Sequence, residues 1–94
     1  MPDGRPTSES ITLATWLEAL GGILGPSGGP GPTDEEQTAL LDIARIAAHT
    51  SERVSAPTTT YIAGLAFAFL PPGERGSALR SLAEQLEKIA RTAG

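Results

Sequence analysis

Apolar residues recur at helical spacing in several parts of the chain, and no part shows the alternation typical of a strand. The first such segment predicts a helix from about Thr12 to Leu24. Thr33-Asp-Glu-Glu36 has the form of a capping box, so a second helix is expected to begin there and to end near Arg53. A fourth helix is predicted from about Ser77 to Thr92, with its leucines on one face.

The third segment, from Pro57 to Leu70, is apolar nearly all round, and no charged side chain lies between Arg53 and Glu74. A helix of this kind is expected to be buried. At about 1.5 Å per residue it extends about 21 Å, which is less than the roughly 30 Å hydrocarbon core of a bilayer. We therefore expect it at the centre of a helical bundle, covered by the amphipathic helices, and we expect no contact with a membrane.

Together the four segments predict an all-α protein, a four-helix bundle with up-down-up-down topology and a nearly all-apolar third helix, because tight connections place neighbouring helices antiparallel. Residues 1–11 contain nothing that would offset the entropy of ordering and are expected to form a flexible N-terminal tail. Residues 12–94 are expected to form a single helical domain. The Gly/Pro-rich segment at residues 25–32 has the composition of a linker, but in so short a chain we favour a loop within that domain.

Composition and charge narrow the function. A net charge of −4 and a pI near 4.8 argue against nucleic-acid partners and anionic membrane surfaces, which require a basic surface. With no cysteine and one histidine, the sequence offers no disulfide, no thiolate nucleophile and no Cys- or His-rich metal site. We expect neither a metal nor a cofactor. The first ten residues lack the apolar region of a secretory signal, so the cytoplasm is the expected location.

The aromatic residues predict both a core and an interface. Trp16, Tyr61 and one phenylalanine are expected to pack in the core. Phe67 and Phe69 lie about 200° apart on a helix, so they cannot both face the same neighbour. The remaining apolar face is expected to be covered by a second copy in a symmetric homodimer.

The corner between the second and third helices is the candidate binding site. It brings together a histidine, an acidic and a basic side chain and three threonines: His49, Glu52, Arg53, Thr58, Thr59 and Thr60. Free N–H groups at the start of the third helix, the threonine hydroxyls and the Arg53 guanidinium would suit a phosphate or carboxylate. The same residues also suit ordinary helix capping, which is the commoner use of such threonines.

Catalysis and metal binding have weaker support. His49 and Glu52 are spaced i,i+3, which allows a base and its orienting carboxylate, but a solvated helix face explains the spacing equally simply and is far commoner. A metal site built from Asp42, Arg45 and His49 fails because an arginine stands where a ligand is needed. We therefore favour a protein that is not an enzyme.

Two stretches of the chain carry a family resemblance. The run Leu41-Asp-Ile-Ala-Arg-Ile-Ala-Ala-His49 and the later run Ala56-Pro-Thr-Thr-Thr-Tyr-Ile-Ala-Gly64 resemble a small actinobacterial helical domain of unknown function. That domain occurs alone or attached to proteins similar to molybdenum cofactor guanylyltransferase. The resemblance implies a domain accessory to molybdenum cofactor metabolism, and it implies no catalytic residues.

These observations lead to a non-enzymatic helical accessory or interaction domain, linked to molybdenum cofactor metabolism by resemblance, whose partner is another protein or a second copy of the chain. The first alternative is a module that binds an anion or nucleotide at the corner formed by residues 49–60. The second alternative is a self-assembling structural domain.

Overall fold

The computed structural model describes residues 11–29 and 31–93. These residues form four α-helices, which are α1 (Leu13–Leu24), α2 (Asp34–Thr50), α3 (Ser55–Phe67) and α4 (Pro72–Ala93), and a short 3-10 helix at Gly25–Gly28. The described ranges contain no strand. The all-α class and the number of helices are therefore confirmed. Most of the predicted N-terminal tail, at residues 1–10, lies outside the described residues.

The chain divides into two compact units, which end and begin at Gly31 and Pro32. The division falls within the Gly/Pro-rich segment that the sequence analysis treated as a loop. The expectation that residues 12–94 form a single domain stays a prediction.

In the first unit, α1 begins and ends as its sequence predicts. The Thr12 hydroxyl accepts a hydrogen bond from the Thr15 N–H at 3.2 Å, which makes Thr12 the N-cap. The helix ends at Gly25, whose φ of 63° is a conformation that favours glycine. No residue of α1 is buried, and Trp16 is 57% exposed. Within this unit Trp16 therefore does not pack in a core, contrary to the prediction.

The start of α2 is fixed by the predicted capping box. The Thr33 N–H donates to Glu36 Oε1 at 2.7 Å, and the Glu36 N–H donates to Thr33 Oγ1 at 3.1 Å. Both bonds satisfy N–H groups that the first turn of a helix leaves without an intrahelical partner. The helix ends at Thr50, three residues before the predicted Arg53, and the residues that follow form the turn into α3.

The boundary between α3 and α4 differs from the prediction. The expected end of the third helix was Leu70, but α3 ends at Phe67. The expected start of the fourth helix was Ser77, but α4 begins at Pro72 and includes Gly73. Proline lacks only an N–H that the first helical position would leave unbonded, so Pro72 begins a helix rather than merely ending one.

Helices α2, α3 and α4 form the second unit, and their directions follow from side-chain contacts. Asp42 pairs with Arg80, and Arg45, further along α2, reaches Glu87, further along α4. Helices α2 and α4 therefore run in the same direction. Helix α3 starts beside the end of α2, where the Ser55 hydroxyl donates to Ser51 Oγ at 2.9 Å, and it runs back along α2. These directions agree with the alternation predicted for the second to fourth helices.

The core of this unit lies mainly between α2 and α4. Its buried members are Ala39, Ile43, Ala63, Leu79 and Ala83, with Leu40, Phe67, Leu82 and Leu86 packed around them. Three of the five buried residues are alanines, so the helix backbones can approach closely. Gly76, buried in α4, lies where a Cβ would collide with the Glu35 side chain of α2. The inward position of Phe67 confirms that one phenylalanine joins the core.

Within the second unit α3 is not buried at the centre, contrary to the prediction. Ala63 is its only buried residue, and Tyr61 is 67% exposed rather than packed in the core. Helix α3 packs against α2 and α4 with one side only, and that side carries mainly small residues. Apart from Phe67, its larger apolar side chains lie on the opposite side.

Candidate functional site

The six residues predicted to form the corner site lie in three different places. His49 is in the last turn of α2, and Glu52 and Arg53 lie in the turn that follows, all three exposed. The three threonines lie one turn into α3 rather than before it, because α3 already begins at Ser55. The structure thus keeps the residues near one helix corner without bringing them to one point.

The threonines face different directions because successive residues of an α-helix are rotated by about 100°. The Thr58 hydroxyl donates to the Val54 carbonyl at 3.2 Å. The Thr60 hydroxyl donates to the carbonyls of Ala56 and Pro57 at 3.2 and 3.1 Å. Hydrogen bonds of this kind within a helix are typical of threonine. They leave each hydroxyl oxygen free to accept but occupy the proton that would be donated to an anion.

The backbone at the start of α3 is also occupied. The Ser55 N–H donates to the Glu52 carbonyl at 2.8 Å, and the Ala56 N–H donates to the Arg53 carbonyl at 3.2 Å. Pro57 has no N–H. The tight turn between α2 and α3 thus bonds the groups that would otherwise face an anion. Binding at this corner stays a prediction, and the side chains left to carry it are those of Arg53 and His49.

A shallow pocket lies beside the corner, between the ends of α2 and α4 and the start of α3. Its volume is about 230 Å³, slightly below the roughly 300 Å³ at which ligand pockets usually begin. The pocket is lined by apolar side chains and by hydroxyl-bearing ones, which are Ile46, Ala47, Thr50, Ser51, Ser55, Thr59, Leu86 and Ile89. Of the predicted site residues, only Thr59 lines it.

The largest feature of the second unit is an apolar surface that the sequence analysis expected to be buried. We define the α3 outer face as the five exposed large apolar side chains on or next to this helix, which are Val54, Tyr61, Ile62, Leu65 and Phe69. Their spacing of 7, 1, 3 and 4 residues places them on one side of a helix. Ala63 and Phe67 lie on the opposite side, against α2 and α4.

The family model of a domain of unknown function, DUF6457, matches residues 8–94. The chain belongs to this family. No curated protein and no solved structure matches it. The match spans α1 to α4 and therefore includes both the corner and the α3 outer face, but the description of the family assigns a function to neither.

No group of three or more His, Cys, Asp or Glu side chains in residues 11–29 and 31–93 is placed to hold a metal ion. None of the helices described there is long and apolar enough to cross a membrane.

A cluster of charged side chains in the DUF6457 domain joins α2 to α4. Arg80 Nη1 donates to Asp42 Oδ2 at 2.8 Å, and Arg45 Nη2 lies 3.9 Å from Asp42 Oδ1 and 3.7 Å from Glu87 Oε1. The hydrogen bond from Arg80, helped by the positive charges of Arg80 and Arg45, lowers the pKa of Asp42. The four side chains are partly exposed, so they orient the two helices more than they stabilise them.

The lowered pKa of Asp42 predicts how stability depends on pH. A carboxylate whose folded pKa is below its unfolded value of about 3.9 stabilises the fold above that value. The contribution is lost as the pH falls through the lower, folded pKa. We expect Asp42→Asn to melt at a lower temperature than the wild type near neutral pH and to converge with it in acid. Thermal melts of both proteins from about pH 7 to about pH 2 measure this. A constant gap at all pH values would contradict it.

Proposed function

We propose that this protein is a non-enzymatic accessory domain that binds another polypeptide through the α3 outer face. The observation that carries the proposal is the exposure of five large apolar side chains on one side of a helix, each between 58% and 97% exposed. A contiguous exposed apolar patch of this kind is typical of an interaction site. A helix side is also convex, which suits a protein surface better than a small molecule.

The hydrogen bonds of the corner argue against catalysis there. A catalytic histidine needs a nucleophile or a substrate proton within hydrogen-bond distance. The hydroxyls of Ser55 and Thr58 donate instead to Ser51 Oγ and the Val54 carbonyl, and His49 stands exposed at the end of α2. We infer that the corner connects two helices and that the work of the domain is done at the α3 outer face.

The proposed context is molybdenum cofactor metabolism in the cytoplasm of an actinobacterium. Its support is the resemblance of residues 41–49 and 56–64 to a helical domain that also occurs attached to proteins similar to molybdenum cofactor guanylyltransferase. In this proposal a guanylyltransferase-like protein that carries the domain uses it to bind another polypeptide. The second run includes Tyr61 and Ile62, two of the five side chains of the α3 outer face.

The experiment that tests this function is affinity capture with purified components. The immobilised domain is presented with a molybdenum cofactor guanylyltransferase-like protein from the same host that carries a copy of the domain. We expect capture by the wild type and a loss of capture with Leu65→Ser. Leu41→Ser is the matched control, because Leu41 is similarly exposed but lies on α2. Capture that is equal for all three proteins would place the contact elsewhere, and no capture at all would remove the proposed link.

Anion binding at residues 49–60 is the second candidate. The exposed positions of Arg53 and His49 near the start of α3 favour it. A ligand that binds only the folded state raises its melting temperature. The candidate predicts a saturable rise with inorganic phosphate or GTP that Arg53→Ala abolishes, and an unchanged melting temperature would remove it.

A further inference from the structure

We propose that the polypeptide bound at the α3 outer face is a second copy of this chain, in a two-fold symmetric dimer whose centre is an α3–α3 contact. The proposal rests on the proposed function, since it names the partner of the same surface. It makes the domain a dimerisation element for whatever polypeptide is attached to it.

The area of the α3 outer face matches one side of a dimer interface. Aromatic side chains present roughly 150–250 Å² each and aliphatic ones roughly half as much. Scaled by the exposed fractions of Val54, Tyr61, Ile62, Leu65 and Phe69, the face offers on the order of 500 Å² of apolar surface. One side of a standard interface is about 800 Å², and about 65% of it is apolar in homodimers. The apolar area of the α3 outer face therefore matches the apolar part of one side of a standard homodimer interface.

The charge distribution also fits a second copy. In a two-fold symmetric dimer the same surface of each copy faces the other, so a face of one charge would repel the identical face of the second copy. The whole chain carries a net charge of −4, yet no charged residue lies between Arg53 and Glu74. A strongly basic or acidic partner would have no complementary charge to meet there, whereas an identical neutral face meets no repulsion.

The polar groups of the face do not oppose burial. Thr58 lies among the five apolar side chains, and its hydroxyl already donates to the Val54 carbonyl at 3.2 Å. A hydroxyl that is hydrogen-bonded within its own helix loses little when water is removed. Tyr61 combines an apolar ring with a hydroxyl that can stay wet at the edge of an interface.

Light scattering after size-exclusion chromatography tests the dimer. At high micromolar loading we expect the wild type to have a mass of about 19 kDa, twice the 9.7 kDa of the chain. Leu65→Glu places two carboxylates near the centre of the contact and is expected to weaken association at least about tenfold, which shifts the mass toward that of the monomer at the same loading and more so on dilution. Leu41→Glu, an equal charge change on exposed α2 surface, is expected to remain a dimer. Circular dichroism verifies that each variant is helical.

Cross-linking gives a second measurement that does not depend on a disruptive variant. The chain contains no cysteine, so a single Ile62→Cys is a unique reactive position. Near a two-fold axis it lies close to its own counterpart and should form covalent dimers with a short bismaleimide, whereas Leu41→Cys should not. A wild type of 9.7 kDa at every loading, or a dimer that Leu65→Glu and Ile62→Cys show to lie elsewhere, overturns the inference.

The two proposals fail in different ways. A monomeric wild type that still captures the guanylyltransferase-like protein, with loss of capture in Leu65→Ser, retains the interaction function and overturns only the second copy as its partner. A monomer whose capture is the same in the wild type and in Leu65→Ser overturns both.

Discussion

Replacing Ile43 with alanine is expected to lower the free energy of unfolding by about 3–4 kcal/mol. Ile43 is the one large side chain of the described residues that is fully buried, and it lies in the core formed by α2, α3 and α4, where three of the other four buried residues are alanines. The alanines around it are too small to close the cavity that its removal would leave. Domains of this size have stabilities near the lower end of the range of about 5–15 kcal/mol, so the variant should be close to unfolding at ambient temperature.

Urea denaturation followed by circular dichroism measures this effect. Ile43→Val removes one methylene group and is expected to cost about 1 kcal/mol, which provides a graded series. Leu41→Ala is the control, because Leu41 lies on the same helix but is 62% exposed and should change stability by no more than about 0.5 kcal/mol. Equal effects of Ile43→Ala and Leu41→Ala would contradict the placement of the core.

The features of the fold that could be predicted are those set by neighbouring residues. The capping box of Thr33 and Glu36 depends on side chains that bond the adjacent backbone, and the structure confirms it. The amphipathic pattern of α4 likewise placed its leucines on one face, and Leu79, Leu82 and Leu86 lie at the core. Local signals of this kind do not depend on how the helices pack.

The packing of α3 could not be predicted because its sequence has no polar side. An amphipathic helix shows which side is buried, whereas a helix that is apolar all round shows only that much of it avoids water. The structure buries the side that carries Ala63 and exposes the side that carries Tyr61 and Leu65. The absence of charge between Arg53 and Glu74 predicts burial in a core. The same absence of charge is typical of the centre of a surface that binds another polypeptide.

The predicted corner residues are adjacent, as their spacing requires, but their hydrogen bonds could not be read from the sequence. That α3 begins at Ser55 rather than Pro57 moves Thr58, Thr59 and Thr60 from the helix start into its second turn. There the hydroxyls of Thr58 and Thr60 bond to helix carbonyls. A shift of two residues in a helix boundary is within the ordinary error of sequence analysis, and here it changes which protons are available to a ligand.

Replacing Arg75 with alanine is expected to lower the free energy of unfolding by about 1–2 kcal/mol, after allowance for partial exposure. Arg75, in the first turns of α4, donates from Nε to the Leu70 carbonyl and from Nη2 to the Ala68 carbonyl, each at 3.1 Å. These carbonyls follow the end of α3, where helical hydrogen bonding stops and a cation is favourable. No sequence pattern indicated this contact, because it spans two helices.

Arg75→Lys separates the hydrogen bonds from the charge. Lysine keeps the positive charge but cannot bond two carbonyls with one planar group, so we expect it to recover less than half of the loss. Arg91→Ala, which removes a charge from the exposed end of α4, should have little effect. Because Arg75 also fixes the segment that presents Phe69, its replacement by alanine should weaken self-association as well as stability. A variant that is destabilised but dimerises as tightly as the wild type would show that Phe69 contributes little to the contact.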